Sequence, residues 1–156
     1  MKFQLAVGAL AISAALGCTS EPVAELRIDS NLPLVWQEAT IVGAEEWFEA
    51  VPEARVPVLV VDRDANVTDS GCGPRSLGCR GWRGDDRGKI YFEVERVRHA
   101  HESVDDVEFR VARHEIGHWL GIVGHLAPGN TMAPTIGDTS HELTRLDIDT
   151  LRETWR

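Results

Sequence analysis

The spacing of apolar residues along the chain predicts strands and helices in alternation. Residues 25–29 alternate between polar and apolar side chains, as in a short strand, and residues 56–61 form a β-branched run typical of a buried strand. Between these two strands, Pro33 opens a helical pattern that Pro52 ends. Residues 89–94 predict a further strand, because they again combine β-branched and aromatic side chains.

The C-terminal part predicts two more helices around an irregular segment. Ser103 with Asp106, and Thr144 with Asp147, have the residue types and spacing of capping boxes, so we expect helices to begin at Ser103 and Thr144. Residues 125–140 are rich in Gly, Pro and Thr, which favours irregular structure. Interleaved strands and helices indicate an α+β or α/β class, and we take α+β: a small mixed, twisted sheet with about three helices packed on it.

The first seventeen residues have the features of an export signal. Met1-Lys2 gives a positive start, and residues 3–16 are almost wholly apolar or small, a stretch too short to span a bilayer. Gly17-Cys18 resembles the site where bacterial lipoprotein signals are cut and the cysteine is lipidated, and an ordinary secretory signal is the alternative. In either case we expect export, to the cell envelope or the medium. The predicted organisation is a signal peptide (1–17), a tether (18–24) and one domain (25–156).

Composition limits the kinds of partner that we expect for this chain. A chain of 156 residues that is 43% hydrophobic supports one domain with a real core. The formal net charge of −9 argues against binding to nucleic acid, and we expect a monomer that touches a membrane only through lipid on Cys18.

We expect 62–88 to form a long loop closed by a disulfide between Cys72 and Cys79. A metal-ligand role for one of these cysteines is the alternative, although they lack CxxC spacing.

Residues 114–125 carry the candidate chemistry and read His-Glu-Ile-Gly-His-Trp-Leu-Gly-Ile-Val-Gly-His. His114 and His118 are four residues apart, so on a helix both imidazoles project from one face and can bind one Zn²⁺ ion. Glu115 lies about 100° further round the helix, which suits a general base that need not ligate the metal. Gly121 permits a sharp turn that returns the chain to His125. His125 is the expected third ligand, because a catalytic zinc has three protein ligands and one open position.

This segment resembles the metzincin metalloproteases, and within them the matrixin-like group. The family pattern H-E-x-x-H-x-x-G-x-x-H is matched through Gly121, and its third histidine comes one residue late, at His125. Further along, Met132 and Pro134 resemble the Met-turn that lies beneath the metal in that family. The resemblance covers residues 103–155.

The resemblance implies a zinc endopeptidase with a metzincin-like catalytic domain. Glu115 would activate the water held by one catalytic zinc, and an extended peptide substrate would pair with an edge strand of the sheet. A non-catalytic zinc-binding lipoprotein that acts as an interaction module is the alternative, and a third is an exported domain with both helix histidines in its core. Asp62-x-Asp64-x-Asn66 begins like a calcium loop but lacks the later Gly and Glu, so a solvated loop is the alternative to a Ca²⁺ site.

Overall fold

The computed structural model describes residues 25–54, 58–62, 78–80, 89–95, 97 and 106–156. The elements of this part of the chain follow in order: β1 (Glu25–Ile28), α1 (Leu34–Ala50), β2 (Val58–Asp62), β3 (Gly78–Arg80), β4 (Lys89–Phe92), α2 (Val107–Leu120), a 3₁₀ turn (Ile136–Asp138) and α3 (Arg145–Thr154). The mixture of a sheet with three helices confirms the expected α+β class for the described residues. No helix in these ranges is long and apolar enough to cross a membrane.

The four described strands form one mixed sheet in the order β1-β2-β4-β3. Strand β2 pairs in parallel with β1 and with β4, whereas β3 runs antiparallel to β4 and places Cys79 opposite Tyr91. The expectation that residues 62–88 form only a loop is wrong, because they contain β3. Three residues have too little alternation to predict a strand, and β3 exists because β4 offers a ladder of hydrogen bonds beside it.

The core lies between the sheet and the packed pair α1 and α2. The rings of Trp36 on α1 and Phe92 on β4 are 4.5 Å apart, centroid to centroid. At the helix crossing, a Cβ on Gly43 would lie 3.3 Å from the Cδ1 of Ile116, so glycine lets the helices approach closely. The Trp47 indole N–H donates to the carbonyl of Arg113 at 2.9 Å. Helix α2 is therefore fixed to α1 immediately before the candidate site begins.

The ends of the two C-terminal helices follow from local backbone geometry. Helix α2 begins at Val107 and not at the predicted Ser103, because Asp106 has a φ of +54°, which lies outside the right-handed helix. Its C-terminus agrees with the prediction, since Gly121 adopts a φ of +122° directly after the helix. The capping box of α3 is also confirmed: Thr144 and Asp147 each bind the backbone N–H of the other.

Several predictions fall on residues outside the described ranges. These are the signal peptide and tether, the lipidation site Cys18, and the disulfide between Cys72 and Cys79, of which only the backbone of Cys79 is described, in β3. The proposed calcium loop also lies largely outside these ranges, since only Asp62, at the end of β2, is described. These assignments stay predictions.

Candidate metal centre

Three histidines from α2 and the loop after it converge at one point. His114 and His118 lie on α2 and His125 follows in the loop, and one ring nitrogen from each lies within 4.8 Å of the others. The ring centroids are 4.7 Å apart for His114 and His118, and 5.3 and 5.1 Å from these two to His125. Three imidazoles at this separation are close enough to bind one metal ion. Because His125 is exposed and the other two are partly buried, the cluster has one side open to solvent.

Two glycines allow the late third histidine to reach the cluster. Gly121 and Gly124 both have positive φ, +122° and +84°, so the chain turns sharply at each end of the segment between them. Just beyond, the Leu126 N–H donates to the Met132 carbonyl at 2.8 Å and fixes the peptide group that follows His125. The prediction that His125 lies beside His114 and His118 is therefore confirmed, although His125 stands one residue later in the sequence than the family pattern has its third histidine.

Backbone carbonyls orient the two helix histidines. The Nδ1 of His114 lies 2.9 Å from the Thr131 carbonyl oxygen, and the Nδ1 of His118 lies 2.9 Å from the Ile122 carbonyl oxygen. A carbonyl oxygen can only accept, so Nδ1 carries the hydrogen in each ring. In the neutral ring, the lone pair is then on Nε2, which is the arrangement that metal-ligating histidines require.

The environment of His114 keeps its imidazole neutral. Burial and, next, the neighbouring His118 lower the pKa of His114 from 6.5 to about 4, although the bond to Thr131 acts in the opposite direction. At pH 7 the ring therefore carries no proton on Nε2. A ligand that has no proton to lose binds a metal ion without competition from hydrogen ions.

Glu115 is buried between α2 and the edge strand β3. Its side chain is 7% exposed, and a Cβ on Gly78 of β3 would lie 2.6 Å from the Glu115 Cγ and 3.1 Å from its Cδ. Glycine at position 78 thus leaves the space that the carboxyl group occupies. Burial raises the pKa of Glu115 from 4.5 to about 8, because the charged form loses its hydration. A buried carboxyl group one residue from a histidine of the cluster is a candidate proton acceptor.

The turn that contains Met132 lies against α2. Met132 is fully buried, and a Cβ on Gly117 would lie 2.4 Å from its sulfur, so the absence of a side chain at Gly117 admits it. Pro134, two residues on, is exposed. The predicted turn thus packs on the helix segment between His114 and His118.

Sequence reasoning missed the groups that hold this turn. The fully buried carboxylate of Asp147 accepts from the N–H groups of Thr131 and Met132, at 3.0 and 3.1 Å. In the sequence, Asp147 is recognisable only as a helix cap, and a carbonyl such as that of Ile122 has no signature because every residue carries one. These contacts depend on the tertiary structure.

No protein-family model matches the chain, and no curated protein does. The fold and the site define an α+β protein with a three-histidine cluster, open to solvent on one side, that can hold a metal ion.

Proposed function

We propose that this protein is a zinc-dependent endopeptidase, similar to the matrixin-like metzincins. One observation carries the proposal: three imidazoles converge, and a buried carboxyl group lies next to them. That group belongs to Glu115, which is on the same helix as His114 and His118 and lies against the edge strand β3. A metal-binding structural site needs only the histidines. The carboxyl group adds the chemistry that a hydrolase requires.

The set of donors favours zinc. Three imidazoles with a fourth side open are the ligand set of catalytic zinc centres, and the carbonyl bonds to Nδ1 leave the Nε2 atoms of His114 and His118 available. When bound, zinc would polarise a peptide carbonyl and lower the pKa of a water molecule towards neutrality. His114, His118 and His125 would be its ligands.

Glu115 would handle the proton during peptide hydrolysis. Its carboxylate accepts the proton of the attacking water molecule, and the protonated carboxyl then donates it to the nitrogen of the leaving amine. The buried position of the side chain, against Gly78, restricts its rotation and keeps bulk water from competing for the proton. Both roles need one group that can exist in either protonation state, which a carboxyl group with a pKa raised by burial provides.

The position of β3 supports an extended peptide as the substrate. Among the described strands, β3 pairs only with β4 and so lies at one edge of the sheet. A peptide that adds to this edge would form backbone hydrogen bonds without a particular sequence requirement. Because Gly78 of β3 lies against Glu115, such a peptide would pass beside the proposed catalytic group.

We further propose that the protein acts outside the cytoplasm. The first seventeen residues support export, and Cys18 supports anchoring through lipid at the bacterial cell envelope. Substrates would then be peptides or proteins of the envelope or the surroundings.

The proposal is tested by measuring zinc content and peptide cleavage together. We expect one zinc ion per chain, and cleavage of a quenched fluorescent peptide library that a chelator stops and added zinc restores. His125→Ala should lower zinc affinity by more than the roughly 10–100-fold that follows loss of an outer hydrogen-bond partner, and should abolish cleavage. His141→Ala is the matched control, because this exposed histidine lies outside the cluster.

Each outcome distinguishes the candidate functions. Absence of zinc binding by the wild-type protein would refute the proposal. Stoichiometric zinc without cleavage of any peptide would favour the non-catalytic zinc-binding module instead. Equal zinc affinity in the His125→Ala variant and the wild type would remove His125 from the ligand set.

A further inference from the structure

The last helix is joined to the metal centre through one peptide group. Asp147, in the first turn of α3, is fully buried, and its Oδ1 accepts from the Met132 N–H at 3.1 Å. The carbonyl of the same peptide group belongs to Thr131 and accepts from the Nδ1–H of His114 at 2.9 Å. A carboxylate at one end of a peptide group and an imidazole at the other polarise it in the same sense, so each hydrogen bond strengthens the other.

The same carboxylate also fixes the turn at Thr131 and Met132, which bonds to the backbone just after His125. Asp147 Oδ2 accepts from the Thr131 N–H at 3.0 Å, so both N–H groups of this turn point at one carboxylate. On its other side, the Met132 carbonyl accepts from the N–H of Leu126, the residue after His125, at 2.8 Å. Asp147 thus acts on a turn whose Thr131 carbonyl accepts from His114 and whose Met132 carbonyl accepts from the peptide group that follows His125.

We propose that Asp147 is a positioning residue of the metal centre. Its negative charge makes the Thr131 carbonyl a stronger acceptor, which holds the Nε2 of His114 towards the cluster and makes that nitrogen a stronger ligand. This inference rests on the proposed function, since it presumes that the cluster binds a metal ion. A carboxylate that contacts a ligand histidine directly has the same effect in many metal sites, and here a peptide group stands between them.

His118 provides an internal comparison. Its Nδ1 also bonds to a carbonyl, that of Ile122, but the N–H of that peptide group belongs to Val123, which is 90% exposed. Within the described part of the chain, no carboxylate accepts from this N–H. The two helix histidines therefore have the same kind of partner at Nδ1, and among the described residues a buried carboxylate polarises that of His114 and not that of His118.

A purely structural role for Asp147 makes a different prediction. Asp147 forms the capping box with Thr144, because its carboxylate accepts from the Thr144 backbone N–H at 2.9 Å. Any substitution of Asp147 should therefore also destabilise α3. If capping were its whole contribution, metal affinity in the folded protein would not depend on its charge. Thr144→Ala removes the capping hydroxyl, which also lies 2.6 Å from Asp147 Oδ2, but keeps the charge of the carboxylate and its bonds to the N–H groups of Thr131 and Met132, so it separates the charge from the capping.

The test compares three variants by competition between the protein and a chelator for zinc, at a temperature where all are folded. Asp147→Asn should weaken zinc binding about 10–100-fold. Thr144→Ala should lower the melting temperature and leave zinc affinity unchanged. Asp149→Asn removes the same charge from the same helix at a partly exposed position paired with Arg145, and should change neither quantity. Wild-type affinity in Asp147→Asn, or an equal loss in Thr144→Ala, would overturn the proposal.

A measurement on the metal-free protein reads the hydrogen bond directly. In the wild-type protein, the NMR resonance of the His114 Nδ1–H should lie downfield of that of His118, because its acceptor is the stronger one. Asp147→Asn should shift the His114 resonance upfield and leave that of His118 in place, which a merely structural change would not do. Coincident resonances in the wild type would overturn the proposal even if Asp147→Asn fails to fold. Failure of the wild type to bind zinc would refute the proposed function and leave the hydrogen-bond result standing.

Discussion

Replacement of Glu115 by glutamine should make the metal-free protein more stable at neutral pH and should slow peptide cleavage by the zinc-loaded protein. Glutamine has nearly the same size and shape as glutamate, so it fits the space beside Gly78. It carries no charge at any pH. The variant therefore removes only the ionisation of a group that the fold has buried.

The magnitude follows from the pKa of the carboxyl group. Burial raises the pKa of Glu115 from 4.5 to about 8, so the folded state holds a proton that the unfolded chain has already released. The stabilisation that this group contributes is therefore complete below pH 4.5 and is lost as the pH rises towards 8. At pH 7, about 2.5 pH units above the pKa of this group in the unfolded chain, the loss is about 3 kcal/mol, because each unit corresponds to about 1.36 kcal/mol. Glu115→Gln should be more stable than the wild type by about this amount at pH 7, and equally stable near pH 4.

The assay is urea unfolding of both proteins at pH 4, 5.5 and 7 in the presence of a chelator, with the free energy of unfolding obtained by linear extrapolation. The ionisation of His114 affects both proteins equally, so it cancels in the difference. Glu108→Gln is the matched control, because Glu108 lies on the same helix at a partly exposed position. It should change the free energy of unfolding by at most about 1 kcal/mol.

The same variant tests the catalytic role. With zinc added, Glu115→Gln should keep a full equivalent of metal and lose about 10²–10⁴-fold in the rate of peptide cleavage, the usual contribution of a general base. A variant that cleaves at the wild-type rate would refute Glu115 as the base. A difference in stability that is the same at pH 4 and pH 7 would refute the buried, protonated carboxyl group.

Two further predictions concern packing and acid stability. Gly117→Ala should destabilise the protein by about 1–3 kcal/mol, because its Cβ would lie 2.4 Å from the sulfur of Met132 and 2.9 Å from the Trp47 ring. Gly137→Ala is the control, because its Cβ would meet nothing within 4 Å, and its free energy of unfolding should lie within about 1 kcal/mol of that of the wild type. Thermal unfolding compares the two variants, and equal melting temperatures would contradict the close packing at Gly117. In the Glu115→Gln background, which removes the opposite contribution of Glu115, the metal-free protein should lose up to about 3 kcal/mol as the pH falls from 6.5 to 4, because unfolded His114 takes up a proton at 6.5 and folded His114 only at about 4. His114→Asn should remove this part of the pH dependence in urea unfolding, and an unchanged slope would contradict the burial of the ring.

The elements that the sequence predicted well are those determined by neighbouring residues. Helix α1 runs from Leu34 to Ala50, as the prolines on either side indicate, and α3 begins after the capping residue Thr144. Gly121 ends α2 because a residue with positive φ was needed there. In each case the helical period, the cap or the glycine lies within a few residues of the feature that it determines.

The elements that the sequence missed depend on more distant partners or on one backbone angle. Strand β3 has only three residues and is held by its pairing with β4. The start of α2 moved to Val107 because Asp106 adopts a left-handed conformation, and a capping pattern at Ser103 does not reveal that. Pairing and backbone strain are properties of the folded chain, and a local pattern contains neither.

The sequence by itself determined which side chains carry the chemistry: spacing alone placed His114, Glu115 and His118 on one turn of helix. Only the tertiary structure decided how they are held. It brought His125 to the other histidines, buried Glu115 beside a strand, and joined Asp147 to His114 through a peptide group. The physical reason is that residue types and their periods are written along the chain, whereas a backbone carbonyl or N–H becomes specific only when folding selects its partner.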